Sequence, residues 1–488
     1  MQNSTEYSII TIQLADKNSS FGATVSAEQI HGPRLGVTMV KEYCGVMGAY
    51  DFDGLDVALD LYHGLYTLQH RGQESAGIVT NDYVALHPIK GPGLVNEVFT
   101  KDNLSTLKGK IGVGQVQYGS DDPNEAVLPI LSRYCKGTMT LAMNGFITNY
   151  DELRSELEQR GAIFQSTSHA EMIMNMIAVA RITSHSAEAA LAQAVAKLKG
   201  AFSIILMSPR KLIAVRDPYG FRPLSLGKRG NRYFFASESV VFDVIKAHHV
   251  CDVRPGEIIK IDDTGITHIE EGLGKRPALC VFEHVYFARP DSVLDGNSVA
   301  QARINIGKEL FKAHPAEADV VIGVPDSGLY FSLGYSYESG IPYGFGLVKN
   351  SYVGRTFIRS TDEIRTEAVS LKLNPLREVL DGKDVVIVDD SIVRGTTSAN
   401  LIRLIKQGGA RKVHMRIASP PFLWKCNYGT DIPDRSGLIA ARMTVDQICE
   451  HIGADSLGFL PLESFERVGL NPKLHCMACF TGKYPDEK

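Results

Sequence analysis

No stretch of this 488-residue chain approaches the run of about 18 apolar residues that a membrane-spanning helix needs. Nor is there an excess of basic charge: the net charge of −4 offers no field for nucleic acid. Cysteine is sparse, since eight in a chain of this length make no disulfide scaffold, and the cytosol is the compartment this usage implies. Residues 1–43 carry Glu6, Asp16, Lys17, Glu28 and Arg34 and lack the roughly 7–15-residue apolar core and small-residue cleavage site of a secretory signal. What is present is a hydrophobic content of 44%, ample for more than one core. The length prior is about three domains, and the pattern reads as two.

The most informative stretch is Val385 to Ser398, VVIVDDSIVRGTTS. Its unbroken apolar start suits a parallel strand covered on both faces, and Asp389 and Asp390 fall at the carboxyl end, where open α/β sheets bind ligands. Gly395, Thr396, Thr397 and Ser398 offer backbone N–H groups and hydroxyls to an anion, and ANLIRLIKQGGA reads as a helix ending at Gly408 and Gly409. Paired aspartates suit a ribose diol or a hard cation such as Mg²⁺. Around it, residues 276–465 alternate strand and helix, with VVIGV (320–324) and KVHMRIAS (412–419) among the strands, the rhythm of a doubly wound parallel sheet. Residues 44–275 differ. AFSIILM (201–207), KLIAV (211–215) and RYFFAS (232–237) suit layered antiparallel sheets, with amphipathic helices at 151–161 and 170–182.

VVIVDDSIVRGTTS resembles the phosphoribosyl pyrophosphate signature of type I phosphoribosyltransferases. With QHRGQESAGI (69–78), RDPYGFRPL (216–224), VYFARPDS (285–292), VPDSG (324–328), KNSYVGRTFI (349–358) and CFTGKYP (479–485), the chain resembles the glutamine phosphoribosylpyrophosphate amidotransferase family from Cys44 to its last ten residues. The resemblance implies an α+β amino-terminal-nucleophile glutaminase domain of four αββα layers at 44–275. An α/β phosphoribosyltransferase domain would follow at 276–465, with a cluster-ligating tail at 466–488. It implies Cys44 as the nucleophile, freed by removal of residues 1–43 as a propeptide, because the α-amino group beside the thiol relays the proton. Asn144 and Gly145 match the oxyanion donors and Arg71 the arginine beside the nucleophile. Ser327, Asp389 and Asp390 match magnesium-binding positions. Ser391, Arg394 and Gly395 to Ser398 match the substrate loop, and Lys349, Tyr352 and Arg355 lie in a segment that resembles a closing loop.

Two positions depart from the family pattern. Gln117 stands where an arginine grips the α-carboxylate of glutamine, and His169 where an aspartate pairs with its α-ammonium. Each charge-assisted hydrogen bond contributes on the order of 1.5–3 kcal/mol, so losing two would weaken glutamine recognition by several powers of ten. Ser351 also replaces an arginine of the closing loop, and RSTDE (359–363) departs from its usual continuation.

Cys280, Cys426, Cys476 and Cys479 stand in contexts that match the ligands of a [4Fe–4S] cluster in this family. Spacing alone does not decide between iron–sulfur, zinc and no metal. Cys135, Cys251 and Cys449 read as buried hydrophobes.

The activity implied is formation of 5-phosphoribosylamine, pyrophosphate and glutamate from glutamine and phosphoribosyl pyrophosphate, the first step of purine synthesis. Mg²⁺ would assist, purine nucleotides would inhibit, and the enzyme would be a dimer or tetramer. Two other readings stand beside it: a phosphoribosyltransferase fed by ammonia or another amine, and a non-catalytic sensor of phosphoribosyl pyrophosphate or nucleotides.

Overall fold

A computed structural model describes residues 44–118, 124–270, 272–350, 352 and 372–487. The leader, Arg355, Ser351 and the RSTDE stretch lie outside the described residues.

Strand Gly45–Asp51, buried along its whole length, is central in a seven-stranded antiparallel sheet. In spatial order that sheet runs His248–Asp252, Ser225–Arg229, Arg232–Ala236, Gly45–Asp51, Ile111–Gln117, Ser75–Asn81, Leu86–Pro92. A second antiparallel sheet of six strands runs Gly265–Ile269, Ile258–Asp262, Lys211–Arg216, Gly200–Ser208, Gly137–Ile147, Ile130–Tyr134. Val46, Val113, Ala142, Ile205 and Ala214 fill the space between the two sheets. Helix Ala58–Thr67 covers the outer face of the first, and helices Tyr150–Gln159, His169–Thr183 and Ala187–Val195 cover the second. That is the αββα order expected.

In the second half, strands Val320–Gly323, Asp384–Asp389, Lys412–Ile417 and Ser456–Phe459 form a parallel sheet in that spatial order. Val385 to Val388 are fully buried, as a central strand packed on both faces requires. Helix Thr396–Gln407 starts three residues earlier than the sequence reading placed it, so Thr396, Thr397 and Ser398 form its first turn rather than a preceding loop. The reason is Gly395, whose φ of +86° turns the chain sharply into the helix; a Cβ there would meet Ile439 Cδ1 at 2.7 Å.

The carboxyl-terminal tail is held by a parallel pairing of Leu279–Cys280 with His475–Cys476. Phe221 stacks on Tyr428 with ring centroids 4.1 Å apart, and an Arg222 Nη donates to the Tyr428 carbonyl at 2.7 Å, so side chains of the first half reach into the second. The reading of the three motif-free cysteines needs correction. Cys135 is exposed in the turn between two strands, Cys251 is half-buried on the edge strand His248–Asp252, and Cys449 is half-buried on helix Val445–Ile452, where Ile448 and Ile452 take the buried positions.

Candidate active site

Cys44 directly precedes the central strand, whose start lies beside the end of strand Ile111–Gln117 (Gly45 opposite Val116). Burial pushes its thiol pKa up, hydrogen bonds from the Tyr118 backbone and the Gln115 side chain pull it down, and the Glu125 charge raises it again. Gln115 is fixed in turn, its amide exchanging bonds of 2.8 and 2.9 Å with the backbone of Met143. This brings Asn144 and Gly145 toward the end of the sandwich that carries Cys44. Asn144 is fully buried with neither side-chain atom hydrogen-bonded, a costly arrangement unless a ligand completes it. Gly145 has φ +145°, and a Cβ would lie 2.0 Å from the Ala201 carbonyl, so only glycine can hold its N–H there.

Gln117 does not stand in for a substrate-gripping arginine. Its Oε1 accepts from Ser75 Oγ and Leu128 N, both at 3.1 Å, and its Nε2 donates to the Ala126 carbonyl at 3.2 Å. Every strong bond of the amide goes to the fold. His169 is the first residue of its helix; it stacks on Tyr150 (4.4 Å, 11°) and its Nδ1 accepts from Ile147 N at 3.0 Å. Burial pushes its pKa down to about 4, so it is neutral at physiological pH.

Arg71 is fully buried, at the end of a short turn (Gln69–Arg71) whose following Gly72 packs against the backbone of Gln117. Its guanidinium is bracketed by two buried carboxylates, Glu238 at Nε and Glu283 at 2.6 Å. Glu238 also accepts from His70 (2.6 Å), Arg289 N (2.9 Å) and Ser292 Oγ (2.6 Å), and the charges of Arg71 and His70 overcome burial to hold it well below the usual carboxylate range. Glu283 opens a π-helical turn, Glu283–Phe287; the carbonyls of His284 within it and of Ala288 just after it accept from buried Arg303 at 2.8 and 2.9 Å. Sequence reading missed Glu238, Glu283 and Arg303. The available signal was a lone acid inside the apolar run at 281–287, a charge that burial tolerates only when paired.

At the phosphoribosyl edge, Asp389 ends its strand and Asp390 follows, both buried; Asp390 N donates to Asp389 Oδ1 at 2.9 Å. Burial raises the pKa of both, and the neighbouring charge raises Asp389 further. Ser327 Oγ donates to Asp390 at 2.5 Å and Ser391 donates to its other oxygen. The structure thus brings Ser327 to Asp390, as the motif comparison implied. Arg394 and Gly395 lead into the helix start, where Thr396 and Thr397 are exposed and Ser398 is buried. Lys349 pairs with Asp326, and Tyr352 is fully exposed, so neither touches the aspartates here. Two carboxylates whose shared negative charge is poorly compensated fit a divalent cation whose remaining ligands come from substrate and water.

Cys280, Cys426, Cys476 and Cys479 line one small cavity of about 20 Å³, walled by Phe221, Phe282, Tyr428 and Ile432. None forms a disulfide, and burial pushes the thiols of Cys280, Cys476 and Cys479 up, Cys280 to about 12. Each of these three also feels the charge of the others and of Cys426 in at least one pairing, so the four are near neighbours. Among the described residues, no three His, Cys, Asp or Glu side chains gather closely as the shell of one metal ion.

Fold and site together define an amidotransferase joined to a phosphoribosyltransferase. Residues 116–243 match the glutamine amidotransferase domain and residues 291–418 the phosphoribosyl transferase domain. The chain is 44% identical to the amidophosphoribosyltransferase of Methanocaldococcus jannaschii over 91% of its own length and 98% of that protein's. It is 42% identical to the amidophosphoribosyltransferase of Bacillus subtilis, covering 92% and 95%. A solved glutamine phosphoribosylpyrophosphate amidotransferase of B. subtilis, complexed with ADP and GMP, superposes with a TM-score of 0.85 at 42% identity, covering 91% of this chain and 98% of that one. The chain belongs to the amidophosphoribosyltransferase family.

Proposed function

We propose that this protein forms 5-phosphoribosylamine, pyrophosphate and glutamate from glutamine and phosphoribosyl pyrophosphate, the first step of purine synthesis. The observation that carries this is the joining of a two-sheet antiparallel sandwich to a parallel sheet that ends in Asp389 and Asp390 in one chain, with identity to the family along more than nine-tenths of the length. Supply by free ammonia and a purely binding role are both less favoured, since the chain retains Cys44, Asn144 and Gly145 in the glutaminase half and both aspartates at the edge.

In the glutaminase half, at 44–275, the Cys44 thiolate attacks the side-chain amide carbon of glutamine. Asn144 and the Gly145 N–H donate to the oxyanion that forms, which accounts for the unpartnered amide of Asn144. Collapse of that intermediate expels ammonia and leaves a glutamyl thioester, which water hydrolyses to glutamate. The chemistry needs a free α-amino group on Cys44, hence removal of residues 1–43 between Tyr43 and Cys44. In the phosphoribosyltransferase half, at 276–465, the helix start at Gly395 to Ser398, with Ser391 and Arg394 leading into it, holds the 5-phosphate. Asp389 and Asp390 accept from the ribose hydroxyls as ammonia displaces pyrophosphate at the anomeric carbon. A magnesium ion held by Ser327, Asp389 and Asp390 would supply positive charge for the departing pyrophosphate. Lys349, Tyr352 and Arg355 stand in the motif that resembles the family's pyrophosphate-facing segment and would bring polar and basic groups to it.

The four cysteines would hold a [4Fe–4S] cluster that ties the tail at 466–488 to both halves, placing the chain in the cluster-containing, propeptide-bearing branch. Purine nucleotides as inhibitors, a dimeric or tetrameric assembly and a cytoplasmic location complete the reading. No described helix is long and apolar enough to cross a membrane. The test is stoichiometric: glutamate and pyrophosphate appear one to one from purified protein given glutamine, phosphoribosyl pyrophosphate and Mg²⁺. Pyrophosphate without glutamate would refute it.

A further inference from the structure

The glutamine-dependent reading leaves one question open, and the inference rests on that reading. An α-ammonium needs an anion, yet the position expected to supply it holds neutral His169. Three observations converge on a replacement. Segment Asn124 to Leu128 is fastened at both ends to the altered positions: Asn124 O accepts from Thr167 N at 3.3 Å, two residues before His169, while Ala126 O and Leu128 N bond the Gln117 side chain at 3.2 and 3.1 Å. Glu125 lies between those anchors in the chain, on the one short segment that is bonded to both altered regions.

Its charge reaches the reacting sulfur, raising the Cys44 pKa. Among the described residues, Glu125 Oε2 is also the one buried carboxylate oxygen without a hydrogen-bond partner. Its competitors are committed: both oxygens of Glu171 accept from the Gln165 and Ser166 backbone, and Asp151 is exposed on the helix surface.

We propose that Glu125 is the specificity residue of the glutaminase site, accepting from the α-ammonium of glutamine in place of an aspartate at position 169. Gln117 then acts at one remove. Instead of gripping the substrate, it braces the segment that carries the carboxylate.

The test compares ammonia release from glutamine and from glutaramate, the same amide without its α-amino group, by anaerobically purified full-length protein with phosphoribosyl pyrophosphate and Mg²⁺. Wild type should favour glutamine at least tenfold in kcat/KM. Glu125→Gln should lose most of that preference through a higher KM for glutamine, with glutaramate little changed, and Glu125→Asp should keep most of it. Equal loss on both amides, or an intact preference in Glu125→Gln, would overturn the proposal. If Glu125→Gln fails to fold, wild type still decides: equal use of the two amides sinks the role of Glu125 while leaving the glutaminase standing. Release from neither amide overturns the glutaminase and the role of Glu125 together.

Discussion

Arg71 and Glu283, 212 residues apart in sequence, meet at 2.6 Å where the glutaminase half abuts the phosphoribosyltransferase half. With Glu238 on the other side, Arg71 is held partly by a residue of the second half, and the π-turn that presents Glu283 is itself fixed by Arg303. Arg303 also feels the charge of Asp390. A buried polar chain of this kind stabilises only when complete.

Removing one member should therefore be expensive. Glu283→Ala leaves Arg71 with Glu238 alone and removes the carboxylate that lies 3.8 Å from Arg222, and should cost about 3–5 kcal/mol, as for other broken buried ion pairs. Glu283→Gln keeps a hydrogen bond and should cost less. Denaturant midpoints check both, and an unshifted midpoint for Glu283→Ala would show that the pair contributes nothing.

The nucleophile and oxyanion assignments separate by substrate. Cys44→Ser should abolish glutamine-supported turnover, and Asn144→Ala should lower its kcat by about 10²–10³. The ratio of glutamine-supported to ammonium-supported rate is the measurement. If both rates drop in step, neither residue belongs to the amide-cleaving chemistry.

Asp389 and Asp390 carry an opposition between stability and activity. Burial raises the pKa of both, so ionising them costs more in the folded, metal-free chain than in the unfolded one. The folded state binds protons more readily than the unfolded one, and metal-free stability should therefore rise as pH falls toward the ordinary carboxylate range. Asp389→Asn should raise the metal-free melting temperature at neutral pH while lowering phosphoribosyl transfer by several kcal/mol, on the order of 10³-fold. A destabilised Asp389→Asn protein would mean that the repulsion is relieved within the chain.

His169 gives the opposite slope. Its folded pKa, about 4, lies below the ordinary histidine value of about 6.5, so above that value it is neutral in both states and contributes no pH dependence. As pH falls below about 6.5 the unfolded chain takes up a proton that the native one refuses until about 4, and stability declines by up to about 3 kcal/mol. Thermal melts of wild type and His169→Gln should diverge at pH 7 but approach one another at pH 4.5. Parallel curves would place His169 in water.

The two halves were legible in the sequence for different reasons. Val385 to Asp390 announced a buried parallel strand because four apolar residues followed by two acids have few other uses, and the glycine at 395 marked the turn into the helix. The αββα layering was not readable from periodicity, since antiparallel strands alternate in any sandwich, and it came from resemblance. The charges that matter at the boundary escaped notice because Glu238, Glu283 and Arg303 act through partners far away in sequence. Gln117 and His169 were visible as departures, yet only the fold reveals that one is consumed by backbone bonds and the other by an aromatic stack.

The cysteine cavity has a direct chemical check. Protein purified without oxygen should carry about four iron and four sulfide per chain, and Cys479→Ser should lower both and loosen the pairing of Leu279–Cys280 with His475–Cys476. Stoichiometric zinc instead would correct the cofactor.

The central claim is tested most directly by pyrophosphate release from phosphoribosyl pyrophosphate and Mg²⁺, comparing glutamine with ammonium at matched pH. Turnover with both is the expected result and shows that the glutaminase works despite Gln117 and His169. Turnover with ammonium alone would contradict it, leaving a phosphoribosyltransferase whose first half no longer supplies its nitrogen.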